Sequence, residues 1–419
     1  MLSQSKIHPT LMEQLETHKA AHATRPLRVI VLLRRGESEL SSALKGAYDI
    51  RRTFRLIPAV ALSASPQQVE ALADIPEIEL VWYDEPVHAM LDSSVALIGI
   101  RQMWQEGITG KGIRIGLIDT GIDPKHPDLR GRVAQMKDFT QEGPADNHGH
   151  GTHVAGIIGG SGKTYRGVAP DCFFYSAKVL REDGSGSMRD VMAGVEWATV
   201  QRVQLINLSL GGDIPSDGSD ALSAMCIAAV SHGAIVCVAA GNNGPGAGTV
   251  GSPAAARAVI TVGATSKADL LWDSSSRGPT SDRRLKPDIC GPGVDIVSCR
   301  ARGTSMGSPV DDFYTMASGT SMAAAHATGA CALILQANPE FTPHQVKATL
   351  ISKTKQLYRE PNAEGKGRID LSASSTEGYP APSDPPEQEA VHAEPETLVE
   401  SPQKRRSWHD MILSVIEGR

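Results

Sequence analysis

Three short runs in this chain stay apolar beyond simple alternation, and they narrow the available folds sharply. They are Ile113 to Ile118, Leu205 to Leu210 and Ala234 to Ala240. A strand that is apolar on both faces must be covered on both sides, as strands of parallel sheets are. From about residue 95 to residue 374 such runs alternate with helical patterns, among them His150 to Gly159 and Thr320 to Gln336. That alternation predicts an α/β domain, a parallel sheet with helices on both faces. Each run ends in a polar residue or a glycine turn, where open parallel sheets gather their sites.

The polar residues at those ends carry a chemistry. Asp119-Thr120-Gly121 follows the first run, His150-Gly151-Thr152-His153 opens a helical run, and Gly319-Thr320-Ser321-Met322-Ala323 opens another. A serine hydroxyl is a weak nucleophile at neutral pH and needs an imidazole to take its proton. The imidazole in turn needs a carboxylate to hold its tautomer and stabilise its cation. The chain order Asp, His, Ser is that of a known convergent triad. A serine at a helix start also places backbone N–H groups beside a developing oxyanion. Singly, each residue has a plainer reading: an Asp after a strand caps or turns, a His in a helix packs, and Asn242 sits in a turn-like Gly-Asn-Asn-Gly. Together and in order they point to acyl transfer. His153 and His326 read as structural, and His148 reads equally as cleft-lining or solvent-facing.

These segments closely resemble the three signatures of the subtilases, the subtilisin-like serine peptidases, over roughly residues 95 to 374. The resemblance implies a subtilisin-like three-layer sandwich with a parallel sheet, Ser321 as nucleophile, His150 as general base and Asp119 as its partner. Ala239-Ala240-Gly241-Asn242 resembles the segment that supplies the oxyanion-hole asparagine, so Asn242 takes that role, with Ala239 and Gly241 beside the substrate. Gly184-Ser185-Gly186 and Ser209-Leu210-Gly211 resemble the two edges between which a peptide lies extended. Gly251-Ser252-Pro253 resembles the far wall of the specificity pocket, with a cis Ser252–Pro253 bond. A glycine at 251 is expected to leave that pocket open to large apolar or aromatic side chains. Ser276-Arg277-Gly278-Pro279 and Lys286-Pro287-Asp288-Ile289 match as scaffold. Where the family usually carries proline four residues after the nucleophile, this chain has Ala325. No cofactor is implied. Asp128 matches a family calcium ligand, yet Gly159 to Arg166 lacks the asparagine-bearing loop that supplies other oxygens; calcium, which takes roughly six to eight of them, is expected only as a structural ion.

Ahead of this domain, the order of strands and helices over residues 25–90 reads βαββαβ, a small ferredoxin-like α+β unit. Its helices are Glu37 to Ala47 and a second one starting at Ser65-Pro66, with a cap serine and proline at the first helical position. It resembles the family's pro-domain, an inhibitor and folding assistant, which implies self-processing between Val87 and Ser94, with apolar Met90 and Leu91 suiting an apolar pocket. Residues 1–24 read as an N-terminal extension and 91–374 as the catalytic domain. Residues 375–419 read as a Pro/Glu/Ser/Ala-rich disordered linker ending in a short amphipathic helix. A formal charge of −6 gives no reason to expect nucleic acid, and no apolar run spans a bilayer. No secretory segment is seen at Met1 to Pro9, and the six cysteines lack metal spacing, so the chain is expected to be cytoplasmic with buried free thiols, although a Cys226–Cys237 disulfide stays open. A pro-domain without a signal peptide, and the long segment Ser298 to Tyr314, resemble the intracellular, AprX-type branch. Polypeptides are the expected substrates, and the pro-domain the expected intramolecular partner.

Overall fold

The computed structural model describes residues 6–20, 26–34, 44, 46–54, 57–84 and 94–372. Most of the expected Glu37–Ala47 helix and Val87–Ser94 connection, and the tail beyond Ser374, lie outside them. The chain divides into two units, Met1–Met90 and Leu91–Arg419.

In the first unit, helix α1 (Pro9–Ala20) precedes β1 (Leu27–Leu33), β2 (Asp49–Thr53), β3 (Ala59–Ala64), α2 (Pro66–Asp74) and β4 (Ile78–Tyr83). The four strands form an antiparallel sheet in the order β2-β3-β1-β4, the arrangement of a ferredoxin-like module. Its core packs Val29 and Val31 of β1 against Leu62, Val69, Leu72 and Val81. The start of α2 obeys its sequence signal: Ser65 Oγ accepts from the Gln68 N–H and the Gln68 side chain accepts from the Ser65 N–H, with Pro66 in the first turn. Helix α1 was not flagged by the sequence pattern, because Leu11 and Leu15 make an apolar stripe only one residue wide; both are buried in the same core.

The second unit begins with two short helices, α3 (Ser94–Leu97) and α4 (Arg101–Gln105). Then come β5 (Arg114–Asp119), β6 (Val133–Asp138), α5 (His150–Gly159), β7 (Phe173–Lys178), α6 (Met188–Val200), β8 (Leu205–Leu208), α7 (Ala221–Ser231), β9 (Ile235–Ala239) and β10 (Ile260–Thr265). The remainder is β11 (Ile289–Pro292), β12 (Ile296–Cys299), β13 (Ser308–Pro309), β14 (Tyr314–Ala317), α8 (Thr320–Ala337), α9 (Pro343–Ser352), β15 (Thr354–Lys355), α10 (Pro361–Glu364) and β16 (Arg368–Ile369). Nine strands form one sheet, ordered β15-β16-β11-β10-β9-β8-β5-β7-β6, in which only the β15–β16 pairing is antiparallel.

The doubly apolar runs are explained by where alternate side chains go. In β9, Ile235, Cys237 and Ala239 join the core formed with α5 and α8. Val236 and Val238 join the opposite core, with α6 and α7. The strand period of two therefore feeds both layers of the three-layer sandwich. Ala325 is fully buried within an unbroken α8, as a good helix former should be. All six cysteines are buried free thiols, Cys226 and Cys237 included. A three-stranded antiparallel ribbon, β12-β14-β13, leads into α8.

Candidate active site

Asp119 ends β5 fully buried, so its carboxylate needs partners. Its Oδ1 accepts the Thr120 N–H at 2.7 Å and the His150 Nδ1–H at 2.7 Å. His150 is the first residue of α5, with 18% of its side chain exposed. Burial pulls its pKa down, but the adjacent Asp119 carboxylate, helped by Asp146, outweighs this and holds it above the ordinary imidazole value of 6.5.

Asp146 is the residue that sequence reasoning missed here. Its carboxylate accepts five hydrogen bonds: from Thr120 Oγ1, the His148 and Gly149 N–H groups, and the Thr152 N–H and Oγ1. Those donors flank Asp119 and His150 on both sides, so one buried carboxylate fixes the loop between them. Lys178, also missed, is wholly buried and donates to the carbonyls of Thr120 and Leu180 and to Asn147 Oδ1. A lone Asp or Lys in a sequence carries no sign of partners scattered over such a span.

Ser321 lies in the first turn of α8. Its hydroxyl donates to the Ser209 carbonyl at 3.0 Å, and the Ser209 hydroxyl donates back to the Ser321 carbonyl at 3.0 Å. Asn242 Oδ1 accepts from the Thr320 N–H at 3.1 Å and Oγ1–H at 2.9 Å. The amide is thereby oriented with its NH2 free for another acceptor. A methyl built on Gly319 Cα would lie 3.7 Å from Asn242 Nδ2 and 3.8 Å from the Ser321 nitrogen, so two N–H donors border one small space. Behind it, the Ser276 N–H bonds the Gly241 carbonyl and Ser276 Oγ accepts the Asn243 N–H, as befits a scaffold segment. Lys286 bridges Thr261 and Asp288 in the other scaffold segment.

A cleft of about 570 Å3 opens beside Thr120, His150 and Ser209. Gly184, Ser185 and Gly186 line it with Ser209, Leu210 and Gly211, and His148 and His150 face into it. His148 is therefore cleft-lining; its Nδ1 accepts the His150 N–H at 3.3 Å. Leu180, Met188, Val191 and Leu222 make part of the cleft apolar. Ala239 lies buried in β9, and Gly241 starts the turn that carries Asn242. Gly251 has a backbone reason of its own. It pairs with Pro215 across an isolated bridge and lies so close to the Gly212 carbonyl that a Cβ would collide with it. The glycine permits two backbones to touch. The Ser252–Pro253 bond is cis as expected. Two other histidines are held away from the cleft by internal bonds: buried His153 donates to the carbonyls of Ile296 and Thr315, and His326 pairs with Met322 O and Ser94 Oγ.

Asp128 does not fit calcium. Its Oδ2 accepts the Tyr314 hydroxyl at 2.7 Å, and Gly162 packs so tightly that a Cβ would collide with the carboxylate. The side chains that gather around it include an imidazole and a thiol, those of His126 and Cys299. Calcium prefers a shell of oxygens, and these residues do not supply one.

The profile of the subtilase family matches residues 110–372. Serine protease AprX of Bacillus subtilis (strain 168) is 36% identical over 357 residues, spanning 78% of this chain and 80% of that protein. Subtilisin E of the same strain is 32% identical over 375 residues, spanning 86% and 93%. A solved cold-adapted subtilisin-like serine proteinase matches with a TM-score of 0.54 at 31% identity, covering 64% of this chain and 91% of its own. No helix among the described residues is long and apolar enough to cross a membrane. With a buried Asp–His pair at the end of a parallel sheet, a serine at the start of α8 and a match over most of its length, this chain belongs to the subtilase family, as a serine endopeptidase that acts on polypeptides.

Proposed function

We propose that Asp119, His150 and Ser321 are the catalytic triad and Asn242 the oxyanion donor of an endopeptidase working through an acyl-enzyme. The observation that carries this reading is the 2.7 Å bond from His150 Nδ1–H to Asp119, which leaves Nε2 with its lone pair. A peptide lies extended between Gly184–Gly186 and Ser209–Gly211. Ser321 turns its hydroxyl from the Ser209 carbonyl to His150 Nε2 and attacks the scissile carbonyl, while His150 takes the proton. The tetrahedral oxyanion accepts from Asn242 Nδ2–H and the Ser321 N–H. His150 then gives its proton to the leaving amine, and water repeats the sequence to free the acyl group. Asp119 stabilises the imidazolium throughout. No organic cofactor takes part.

Specificity is broad, because an extended peptide is held mainly through its backbone. The apolar stretch of the cleft, with Leu180, Met188, Val191 and Leu222, favours large apolar or aromatic side chains. The enzyme is made as a zymogen that cuts itself between Val87 and Ser94, and the ferredoxin-like unit restrains it as an inhibitor. It works in the cytoplasm, a setting that suits six buried cysteines left as thiols.

Purified wild type and Ser321→Ala, each given casein and a chromogenic peptide ending in phenylalanine, test the reading. The expected result is hydrolysis with loss of the N-terminal unit in wild type, and an inert, full-length variant. Hydrolysis surviving in Ser321→Ala would overturn the assignment, and a fully active wild type that still begins at Met1 would overturn self-processing.

A further inference from the structure

The cluster around Asp128 has donors for a different cation. His126, Asp128 and Cys299 are all buried, and their ligand atoms lie within 4.8 Å of one another. They come from separate parts of the chain: the turn after β5 supplies the first two, and the end of β12 supplies the thiol. Cys299 Sγ also packs against Gly156, in the middle of the helix that begins at His150, where a Cβ would lie 2.7 Å from the sulfur. An ion at the centre of such a triangle needs each ligand atom to move inward by less than about an ångström to reach zinc bond lengths of roughly 2.0–2.3 Å.

Two of the ligands are already held as metal ligands are. His126 Nε2–H donates to the Phe313 carbonyl at 2.8 Å. That places the ring's lone pair on Nδ1, where it accepts the Asp128 N–H at 3.2 Å, a long bond that an ion would displace. Ligating imidazoles characteristically donate their second nitrogen to a backbone carbonyl or carboxylate in this manner. On the carboxylate, Tyr314 engages Oδ2 and leaves Oδ1 as the remaining donor. Phe313 and Tyr314 are adjacent, so one short segment of the ribbon orients both ligands. Aromatic rings wall the site: Tyr165 lies 4.5 Å from Tyr314, and Phe313 and Tyr314 meet His126 edge-on.

We propose that His126 Nδ1, Asp128 Oδ1 and Cys299 Sγ form a site for a thiophilic divalent cation, zinc, in place of the oxygen-ligand calcium site. Sulfur and nitrogen donors with one carboxylate select zinc over calcium. Binding converts the Cys299 thiol to a thiolate: the S–H bond breaks, a sulfur–zinc bond forms, and the proton passes to solvent. A water completes a tetrahedral shell. The bound ion ties the ribbon to the turn after β5, with helix α5 packed on its thiolate ligand.

The full chain, stripped with a chelator and titrated with cobalt(II) alone, gives the test without reading activity. The expected result is one equivalent bound, a sulfur-to-cobalt charge-transfer band, release of a proton and displacement by zinc. The band disappears in Cys299→Ser and in His126→Gln. Tyr314→Phe, which keeps all three ligands, retains the band with affinity weakened about 10- to 100-fold. Absence of the band in wild type would overturn the site, as would its persistence in Cys299→Ser or displacement of cobalt by calcium. If Cys299→Ser fails to fold, unchanged affinity in Tyr314→Phe would overturn it equally.

Discussion

Two buried carboxylates, Asp119 at the end of β5 and Asp128 in the turn after it, each stand beside an imidazole, and they are wired in opposite ways. Asp119 accepts the Nδ1–H of His150 directly, so the ring's proton is held on that side and Nε2 is left with its lone pair at the cleft. Asp128 gives one carboxylate oxygen to the Tyr314 phenol, while its neighbour His126 donates Nε2–H to the Phe313 carbonyl and accepts the Asp128 N–H on Nδ1. The first pair can accept a proton from a substrate-facing hydroxyl; the second has no such outlet. Composition is the same at both places. What differs is whether the carboxylate bonds the ring or a phenol, and that goes with the loop partners: Asp146 at one site, the ribbon bearing Tyr314 at the other.

The comparison breaks most severely if the first pair proves dispensable. Ser321→Ala or His150→Ala should lower kcat by about a millionfold, the loss known for the corresponding groups of subtilisin, from which that magnitude is taken. Progress curves on a peptide ester and amide check it. Asp119→Asn should cost about 10⁴-fold in kcat by leaving the wrong tautomer. It should also move the acid limb of kcat/KM to lower pH, because Asp119 holds the His150 pKa above its ordinary value and only the neutral ring is active. An acid limb unmoved in that variant would mean the pair is structural. Asn242→Ala should cost about 10²- to 10³-fold in kcat with KM little changed, again a magnitude measured on subtilisin.

A third buried imidazole sharpens the contrast through stability. Burial, reinforced by the His150 charge, lowers His153 to about 3, against 6.5 in a solvated chain. The unfolded state therefore binds the proton more readily, so His153 contributes stability above pH 6.5 that is lost as pH falls towards 3. Urea midpoints should decline over that window in wild type and more shallowly in His153→Gln. The smallest expected effect belongs to the second pair: Tyr314→Phe should cost about 1 kcal/mol in unfolding free energy and leave peptide hydrolysis intact. A large loss of activity there would erase the distinction between the two carboxylates.

Much of this is legible in the sequence. The sheet and its two helical layers followed from doubly apolar runs, and the reactive side chains sat in short local motifs at strand ends and helix starts. The ferredoxin-like strand order was readable because the cap at Ser65 and the strands around it are local signals. What escaped was non-local. Asp146 and Lys178 acquire their roles only when several turns converge on them. The fate of Asp128 depends on Tyr314 and Cys299, far along the chain. At Gly251 the lack of a side chain also serves contact with Gly212, which no spacing rule reveals.

The central claim is that Asp119 and His150 activate Ser321, and a fluorophosphonate that labels activated serines tests it most directly. Intact mass and peptide mapping should find one adduct, on Ser321, forming in step with loss of peptidase activity and absent from His150→Ala. Labelling of Ser321 at an equal rate in His150→Ala, or inactivation with the adduct elsewhere, would contradict the account.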